Sequence, residues 1–400
     1  MRFDIIGISD ARQQWFPPQV QEVITSGSVF SGGRRHHEIV GELLPADATW
    51  IDITVPLSSV FEQYRQHPYI VVFASGDPLF FGFATTLQRE FPEAELRVFP
   101  SFHSLQTLAH RLCLPYHDMQ IVSLTGRPWQ ALDTALIRGE RLIGILTDTK
   151  EHTPQGIAAR MVQYGYDNYA VSVGECLGNE QTERITRYDS PSQLLHSHDS
   201  HAAPNCIILQ RTNQRKRQFG IPESEFELLD GRVNMITKAP IRLASLAALD
   251  LANRHTLWDI GFCTGSVSIE ARLQFPHLAI EAFEVRPECE RIIQCNMERF
   301  GAPGISIHTG DFLAIPTAEL HQLPPPDAVF IGGHSGQLIA MVERLLTVAS
   351  PGTCIVLNAV SERSIALFQQ AIERFHLRPQ PSQRIALDDH NPIVIMKATI

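Results

Sequence analysis

The chain has 400 residues, of which 44% are hydrophobic and 19% are charged, and its formal net charge is −10. This composition is typical of a soluble globular protein, and the length predicts two domains of similar size. The acidic charge argues against nonspecific binding to nucleic acid or to an anionic membrane, and no apolar run reaches the length of a membrane span. We therefore expect a small molecule as the partner.

The cysteines and the N-terminus predict a cytoplasmic location. The 7 cysteines are odd in number and include no C-x-x-C pair, which favours free thiols in a reducing compartment over a disulfide framework or a zinc site. The first residues, M-R-F-D-I-I-G-I, enter a strand pattern directly and lack the layout of a signal peptide.

The first half of the chain alternates strand and helix patterns. Strands are predicted at residues 1–8, 29–33, 69–74, 96–99, 121–124 and 142–146. This alternation indicates an α/β domain with a largely parallel sheet. Polar residues follow the C-terminal ends of the strands, which is where open α/β sheets bind their ligands.

From residue 169 the pattern becomes that of a meander, with strands predicted at 170–173, 183–188 and 206–210. A loop between the last two strands carries four potential metal ligands, His196, His198, Asp199 and His201. Such a cluster could bind a metal ion, but no second ligand cluster supports it, so we expect a solvated loop and no metal site. The polar, basic segment 213–222 is predicted to link a domain at 1–212 to a domain at 223–400.

The second half is organised around residues 256–284, which have the order strand, glycine turn, helix, strand, acid. Gly261 and Gly265 bracket the turn, and Glu284 ends the second strand. A glycine turn lets the backbone approach a ligand closely, the helix N-terminus offers free N–H groups, and the acid can accept both hydroxyls of a ribose. The pattern favours a site for an adenosine-containing cofactor, although such turns also occur as plain chain reversals.

The remaining strands of the second half are predicted at 305–308, 328–331 and 354–357, which indicates an open, doubly wound sheet. Asp311 follows the third strand, where an adenine-contacting loop would lie. A nicotinamide-dependent oxidoreductase is disfavoured, because Gly261, Cys263 and Ser266 occupy the positions of the G-x-G-x-x-G fingerprint.

The second half resembles the class I S-adenosylmethionine-dependent methyltransferases, and within them the decarboxylating C15-methyltransferase domains of cobalamin biosynthesis. The matching segments are I-T-K-x-x-x-R at 236–242, L-W-D-I-G-x-x-x-G-S-V-S-I-E at 257–270 and P-D-A-V-F-I-G-G at 326–333. The sequence departs from the family at Cys263, where the cofactor turn usually has a glycine.

The first half resembles the tetrapyrrole methyltransferase fold, a two-lobed architecture, in its precorrin C5-methylating branch. The matching segments are G-G-R-R-H at 32–36, S-G-D-P-L-F-F-G at 75–82, F-P-S-F-H-S-L-Q at 99–106, S-L-T-G-R at 123–127 and V-G-E-x-L-G at 173–178. It departs from the family after Gly7, where Ile8, Ser9 and Asp10 replace further glycines. The two resemblances occur in the order of the fused C5,15-methyltransferase family of cobalamin biosynthesis.

The resemblance implies two methyl transfers from S-adenosylmethionine to a precorrin or cobalt-precorrin, with loss of carbon dioxide from an acetate side chain. It implies one cofactor site per domain. In the second domain the implied cofactor-binding residues are Thr237, Gly261, Gly265, Glu284, Asp311 and Phe312. In the first domain they are Gly7, Asp77, Phe80, Ser101, Phe102 and Leu124.

A substrate with many carboxylates predicts cationic side chains in each cleft. The candidates are Arg34, Arg35 and His36 in the first domain and Lys238 and Arg242 in the second. His334, beyond the fourth strand of the second sheet, is a candidate proton donor. Both domains resemble ones that oligomerise, so we expect a homo-oligomer. A non-catalytic adenosyl-binding protein is the alternative, and it would bind the cofactor without converting a tetrapyrrole.

Overall fold

The computed structural model describes residues 1–387 and 392–400. The chain forms two compact units. The first consists of residues 1–128, 140–159 and 167–213, and the second of residues 129–139, 160–166 and 214–400. Within the described residues, no helix combines the length and the apolar character needed to cross a membrane.

The first unit begins with a five-stranded sheet. Its strands are β1 (Arg2–Ile8), β2 (Val29–Gly32), β3 (Thr49–Asp52), β4 (Tyr69–Ser75) and β5 (Glu95–Phe99). The helices of this part are α1 (Pro18–Ser26), α2 (Arg34–Val40), α3 (Leu57–Tyr64), α4 (Phe83–Glu90) and α5 (Ser104–Arg111). The strand order is β3-β2-β4-β1-β5 and all pairs are parallel. The sequence pattern did not predict β3, whose four residues lie at the sheet edge and are mostly outside the core.

A second five-stranded sheet completes the first unit. Its strands are β6 (Gln120–Ser123), β7 (Leu142–Leu146), β8 (Tyr169–Glu175), β9 (Arg184–Tyr188) and β10 (Asn205–Arg211). The helices along this stretch of chain are α6 (Gln130–Arg138), α7 (Pro154–Gln163) and α8 (Pro191–His196). The strand order is β6-β7-β10-β8-β9, and only β6 and β7 are parallel. The predicted meander is therefore wrong in its order, because β10 pairs with β7 and β8 rather than following β9.

The second unit contains a seven-stranded sheet. Its strands are β11 (Thr256–Ile260), β12 (Ala279–Glu284), β13 (Ile305–Thr309), β14 (Ala328–Ile331), β15 (Cys354–Ala359), β16 (Arg378–Ile385) and β17 (Ile393–Thr399). Its helices are α9 (Ala239–Leu249), α10 (Ser266–Gln274), α11 (Glu288–Phe300), α12 (Thr317–Leu320), α13 (Leu338–Leu345) and α14 (Glu362–Phe375). The order β13-β12-β11-β14-β15-β17-β16 is that of the predicted doubly wound sheet, in which β17 runs antiparallel to both of its neighbours, β15 and β16. The α/β fold class is confirmed.

Helix α6 and the end of α7 belong to the second unit, whereas the sequence pattern placed both in the domain at 1–212. Asp133 of α6 is buried and accepts two hydrogen bonds of 2.7 Å from Arg160. Arg272 of α10 lies 4.0 Å from the same carboxylate. Strand and helix periodicity does not indicate which core a helix joins, because that depends on side-chain partners distant in sequence.

The end of the predicted linker is anchored in the second unit by a buried ion pair. Arg242 of α9 and Glu270 of α10 are both fully buried, with 3.2 Å between Nε and Oε2. Arg242 also donates to the carbonyl oxygens of Thr237 and Ile221. Glu270 accepts the backbone N–H groups of Gly220 and Ile221 at 2.9 and 3.1 Å. Ile221 is itself fully buried. The ion pair therefore holds the segment that precedes α9 against the second unit.

This network corrects the prediction that Arg242 clamps a substrate carboxylate. Its side chain has no exposed surface, and its donors are used by Glu270 and by two backbone carbonyls. A residue in this position stabilises the fold instead.

We expect Arg242→Met to lower the free energy of unfolding by about 3 kcal/mol, because it leaves the buried carboxylate of Glu270 without its cation. The double variant Arg242→Met/Glu270→Gln should recover part of that loss, since it leaves no uncompensated charge. Urea unfolding of the full chain measures the free energy of unfolding of both variants.

Arg374→Met is the control, because Arg374 lies 3.6 Å from Glu343 in an exposed pair, and its loss should cost about 0.5 kcal/mol or less. Equal stability of Arg242→Met and Arg374→Met would contradict the structural role.

Candidate active sites

The turn that follows β11 is built from left-handed backbone. Gly261, Cys263 and Gly265 have φ angles of +83°, +50° and +74°. A Cβ at Gly261 would lie 2.7 Å from the backbone nitrogen of Gly333, so glycine is required there for space as well as for conformation. Cys263, which stands where the related turn has a glycine, nevertheless adopts the left-handed conformation.

The acid at the end of β12 is held by four donated hydrogen bonds. Oε2 of Glu284 accepts the backbone N–H of Cys263 at 3.0 Å and Nη2 of Arg286 at 3.1 Å. Oε1 accepts Nε of Arg286 at 2.9 Å and its backbone N–H at 3.2 Å. These bonds use the acceptor positions of an ionised carboxylate, and they raise the pKa of Arg286. The sequence pattern identified Glu284 but not Arg286, although an arginine two residues after a strand-ending acid is a readable signal.

A cavity of about 170 Å³ lies beside this carboxylate. Among the predicted cofactor residues, Gly261, Glu284, Asp311 and Phe312 line it, together with Arg286. Phe312 is buried against Phe283, with ring centroids 5.2 Å apart. The exposed Asp311 accepts the backbone N–H of Leu313 at 3.0 Å. The structure thus brings four of the six predicted residues to one cavity at the C-terminal edge of the sheet.

The other two predicted cofactor residues do not line the cavity. Gly265 is buried under α11, where an added Cβ would lie 2.3 Å from Ile293. The carbonyl oxygen of Thr237 accepts a hydrogen bond from Arg242 at 2.9 Å. The substrate candidate Lys238 is likewise engaged, because its Nζ donates to the carbonyl of Val233 at 2.9 Å.

A buried acid lies under the glycine turn. Ser268 donates to Oδ2 of Asp259 at 2.5 Å, and Oδ1 has no hydrogen-bond partner among the described residues. Burial, with a smaller contribution from the charge of Glu284, raises the pKa of Asp259 to about 7. Oγ1 of Thr264 in the turn is also buried without a partner in the described part of the chain. Asp259 and Thr264 therefore each carry an oxygen that forms no hydrogen bond within the described part of the chain.

His334 lies in the loop after β14, but both of its ring nitrogens are engaged. Nδ1 accepts the backbone N–H of Gly336 at 3.1 Å, so Nε2 carries the proton and donates to Oγ of Ser364 at 3.0 Å. Burial, aided by Arg363, lowers the pKa of His334. Gly333 and Ser335 line the cavity, and His334 does not. Direct proton donation to a substrate would require one of these bonds to break.

The first unit contains a larger cleft of about 540 Å³ between its two sheets. The predicted residues Phe80, Phe102, Arg35 and His36 line it. Phe102 is 61% exposed, and Phe80 stacks on His103 with ring centroids 3.7 Å apart. An exposed aromatic side chain in a cleft offers an apolar surface for a planar ligand.

Behind this cleft the ends of β1 and β4 approach too closely for a side chain. A Cβ at Gly7 would lie 1.9 Å from the carbonyl oxygen of Gly76 and 2.7 Å from the backbone nitrogen of Ser101. The Ser101 N–H donates to Gly76 at 3.3 Å. Asp77 accepts the backbone N–H of Leu79 at 2.9 Å. Gly7, Asp77, Ser101 and Leu124 therefore shape the loops around the cleft without belonging to its lining, and Leu124 is fully buried.

The three candidate clamps of the first unit differ in position. The side chain of Arg34 is 93% exposed, is not part of the cleft lining and pairs with Glu38. Arg35 binds Asp10 at 3.3 Å and donates to Oγ of Ser75 at 2.8 Å. His36 also contacts Ser75, at 2.9 Å. The structure therefore brings Arg35 and His36 to the cleft and leaves Arg34 in solvent.

Side chains of the histidine-rich loop form hydrogen bonds with other residues of the first unit. His201 contacts Glu175 at 3.2 Å, and Asp199 accepts the hydroxyl of Tyr188 at 2.7 Å. Across residues 1–387 and 392–400, no group of three or more His, Cys, Asp or Glu side chains is arranged to hold a metal ion.

Residues 229–393 match the family model described as a precorrin methyltransferase domain. The chain is 32% identical over 360 residues to precorrin-6Y C(5,15)-methyltransferase (decarboxylating) of a Sinorhizobium species, covering 89% of this chain and 84% of the relative. It is 35% identical over 130 residues to cobalt-precorrin-6B C(15)-methyltransferase (decarboxylating) of Salmonella typhimurium, covering 32% and 65% of the two chains. It is 30% identical over 185 residues to cobalt-precorrin-7 C(5)-methyltransferase of the same organism, covering 45% and 87%.

The first of these matches spans most of both chains, and two further matches are to proteins named for one methylation each. The fold, the two clefts and this identity agree with one another, and the chain belongs to the precorrin-6Y C(5,15)-methyltransferase (decarboxylating) family.

Proposed function

We propose that the chain methylates a precorrin-type tetrapyrrole at C5 and C15 and releases carbon dioxide from an acetate side chain, in cobalamin biosynthesis. The observation that carries the proposal is the 32% identity to a C(5,15)-methyltransferase along 89% of this chain. The presence of a separate cleft in each unit supports it, since two methylations at different ring positions need two differently shaped sites.

In this proposal the first unit methylates C5, and the second methylates C15 and promotes the decarboxylation, with one S-adenosylmethionine bound per unit. The motifs that resemble the C5 branch lie in the first unit, and those that resemble the C15 branch lie in the second. We also propose that the chain acts in the cytoplasm as a homo-oligomer, as the family resemblance implies, and light scattering of the purified chain would report the oligomeric state.

The residues of the second cavity fit an adenosyl cofactor. Glu284 is oriented by backbone and guanidinium donors, as an acceptor for two ribose hydroxyls should be. Because its acceptor positions are filled, Arg286 has to move aside when a ribose binds, and this movement would enlarge the small cavity that Arg286 lines. Phe312 provides an apolar wall for an adenine.

The cleft of the first unit fits a nucleoside and part of a tetrapyrrole. Its volume of about 540 Å³ lies in the range of small-molecule sites, roughly 300–1,000 Å³. Phe80 and Phe102 provide the aromatic surface.

S-adenosylmethionine, when bound, supplies an electrophilic methyl group. The meso carbons of the ring are nucleophilic because the conjugated ring nitrogens donate electron density, so the residues of each cleft need mainly to orient the ring and exclude water. Methylation replaces a hydrogen, which leaves as a proton. In the decarboxylation the bond between the acetate methylene and its carboxylate breaks, the electron pair enters the ring system and a proton is taken up.

Mass spectrometry of the reaction tests the proposal. Purified chain is incubated with S-adenosylmethionine and a precorrin-6-type tetrapyrrole, with cobalt inserted in one reaction and absent in the other. We expect a gain of two methyl groups and a loss of one carbon dioxide, and comparison of the two reactions identifies the accepted substrate. Cofactor binding without any change in the tetrapyrrole mass would favour the non-catalytic alternative.

We expect Glu284→Gln to weaken cofactor binding in the second unit by about 10- to 100-fold, because the variant loses a charged acceptor of ribose hydroxyls. At a limiting cofactor concentration, C15 methylation and carbon dioxide release should fall by the same factor. The matched control is Glu373→Gln, which removes an exposed carboxylate of α14. Unchanged C15 methylation in Glu284→Gln at limiting cofactor would show that Glu284 does not hold the ribose.

A further inference from the structure

Ser75, the last residue of β4, occupies an unusual hydrogen-bonding position in the cleft of the first unit. Its side chain is exposed to the cleft and lines it. Arg35 donates from Nη2 to Oγ of Ser75 at 2.8 Å, and Nε2 of His36 lies 2.9 Å from the same oxygen. The direction of the second bond determines what the serine hydroxyl can do.

The ring of His36 can only donate to Ser75. Its Nδ1 accepts the backbone N–H of Gly33 at 3.2 Å, so in the neutral ring the proton is on Nε2. Burial, with a smaller effect from the charge of Arg35, lowers the pKa of His36 to about 4, although the nearby carbonyl of Phe73 opposes this. Protonation would place a hydrogen on both nitrogens, so Nε2 remains a donor in either state.

Oγ of Ser75 therefore accepts two hydrogen bonds, and its own O–H must be donated elsewhere. Neither Arg35 nor His36 can accept it. Within residues 1–387 and 392–400, the hydroxyl has two donors and no protein acceptor. Arg35 is in turn held by Asp10 at 3.3 Å, so the charge of the guanidinium is balanced and its orientation is fixed.

From this geometry we infer that Ser75 is a substrate-positioning residue, which donates its hydroxyl proton to a carboxylate of the tetrapyrrole. A hydroxyl that accepts a bond from a guanidinium becomes a better donor, which suits an anionic acceptor. Arg35, His36 and Asp10 orient the serine instead of each binding a separate carboxylate. This inference rests on the proposed C5 methylation and adds a residue and a contact to it.

A carboxylate in the cleft could also come from the methionyl group of the cofactor. We assign the tetrapyrrole, because both donors to Ser75, Arg35 and His36, are candidate substrate-binding residues. Cofactor affinity and substrate affinity distinguish the two sources.

The test compares Ser75→Ala and Ser75→Thr with wild type in the full-length chain. Each is given the tetrapyrrole substrate and S-adenosylmethionine, and C5 methylation is measured as kcat and KM for the tetrapyrrole. We expect kcat/KM to fall by about 10- to 100-fold in Ser75→Ala, mostly through KM, as for loss of a bond to a charged group. Ser75→Thr retains the hydroxyl and should recover most of the activity. Affinity for S-adenosylmethionine should be unchanged in both variants.

The control is Ser26→Ala, which removes an exposed hydroxyl at the end of α1, outside the cleft. C15 methylation by the same molecules is a second control, because it reports a folded chain and an intact substrate preparation. A wild-type KM in Ser75→Ala, or a weakened affinity for S-adenosylmethionine in place of the tetrapyrrole, would overturn the inference while leaving the proposed function standing. Absence of C5 methylation in wild type would overturn both.

If Ser75→Ala loses C15 methylation as well, the comparison moves to Ser75→Cys, whose thiol is a much weaker donor in nearly the same volume. A fall in kcat/KM for C5 methylation in that variant, with C15 methylation retained, supports the inference, and wild-type kinetics contradict it.

Discussion

The contact that the second unit depends on is the one between the Glu284 carboxylate and the turn after β11. The backbone N–H of Cys263 reaches Oε2 at 3.0 Å, and the Arg286 guanidinium covers both oxygens. This contact fixes the left-handed turn against the end of the neighbouring strand. In the proposed cofactor site, the same contact would also orient the carboxylate for a ribose.

The first unit also places a cleft beside glycines near its strand ends, although its sheets have a different topology. Near the ends of its parallel strands β1 and β4, Gly7 and Gly76 pack too closely against neighbouring backbone for any side chain. The chain can therefore bring the loops after both strands to one cleft, where Ser75, Arg35 and His36 meet. In both units a glycine with no room for a side chain lies near a strand end, and polar side chains line the cavity close to it.

The sequence predicted the features that follow from local patterns. The spacing of Gly261 and Glu284 located the second cavity, because a glycine turn and a strand-ending acid on neighbouring parallel strands must meet at one sheet edge. The buried strands were recognisable as apolar runs, whereas the exposed edge strand β3 was not. The sequence motif suggested that Arg242 binds substrate, because a motif alone does not show that its guanidinium group is buried in an ion pair with Glu270. Ser75 and Arg286 were missed because their importance depends on hydrogen-bond partners that only the folded chain brings together.

We propose that each unit forms its own cofactor site, and the number of S-adenosylmethionine molecules bound per chain tests this. Equilibrium dialysis of the purified full-length chain against radiolabelled S-adenosylmethionine gives that number without any tetrapyrrole. We predict two molecules per chain, with two affinities, since the cleft of about 540 Å³ and the cavity of about 170 Å³ are built from different residues. Saturation at one molecule per chain would contradict the claim, and would mean that one of the two units does not bind the cofactor.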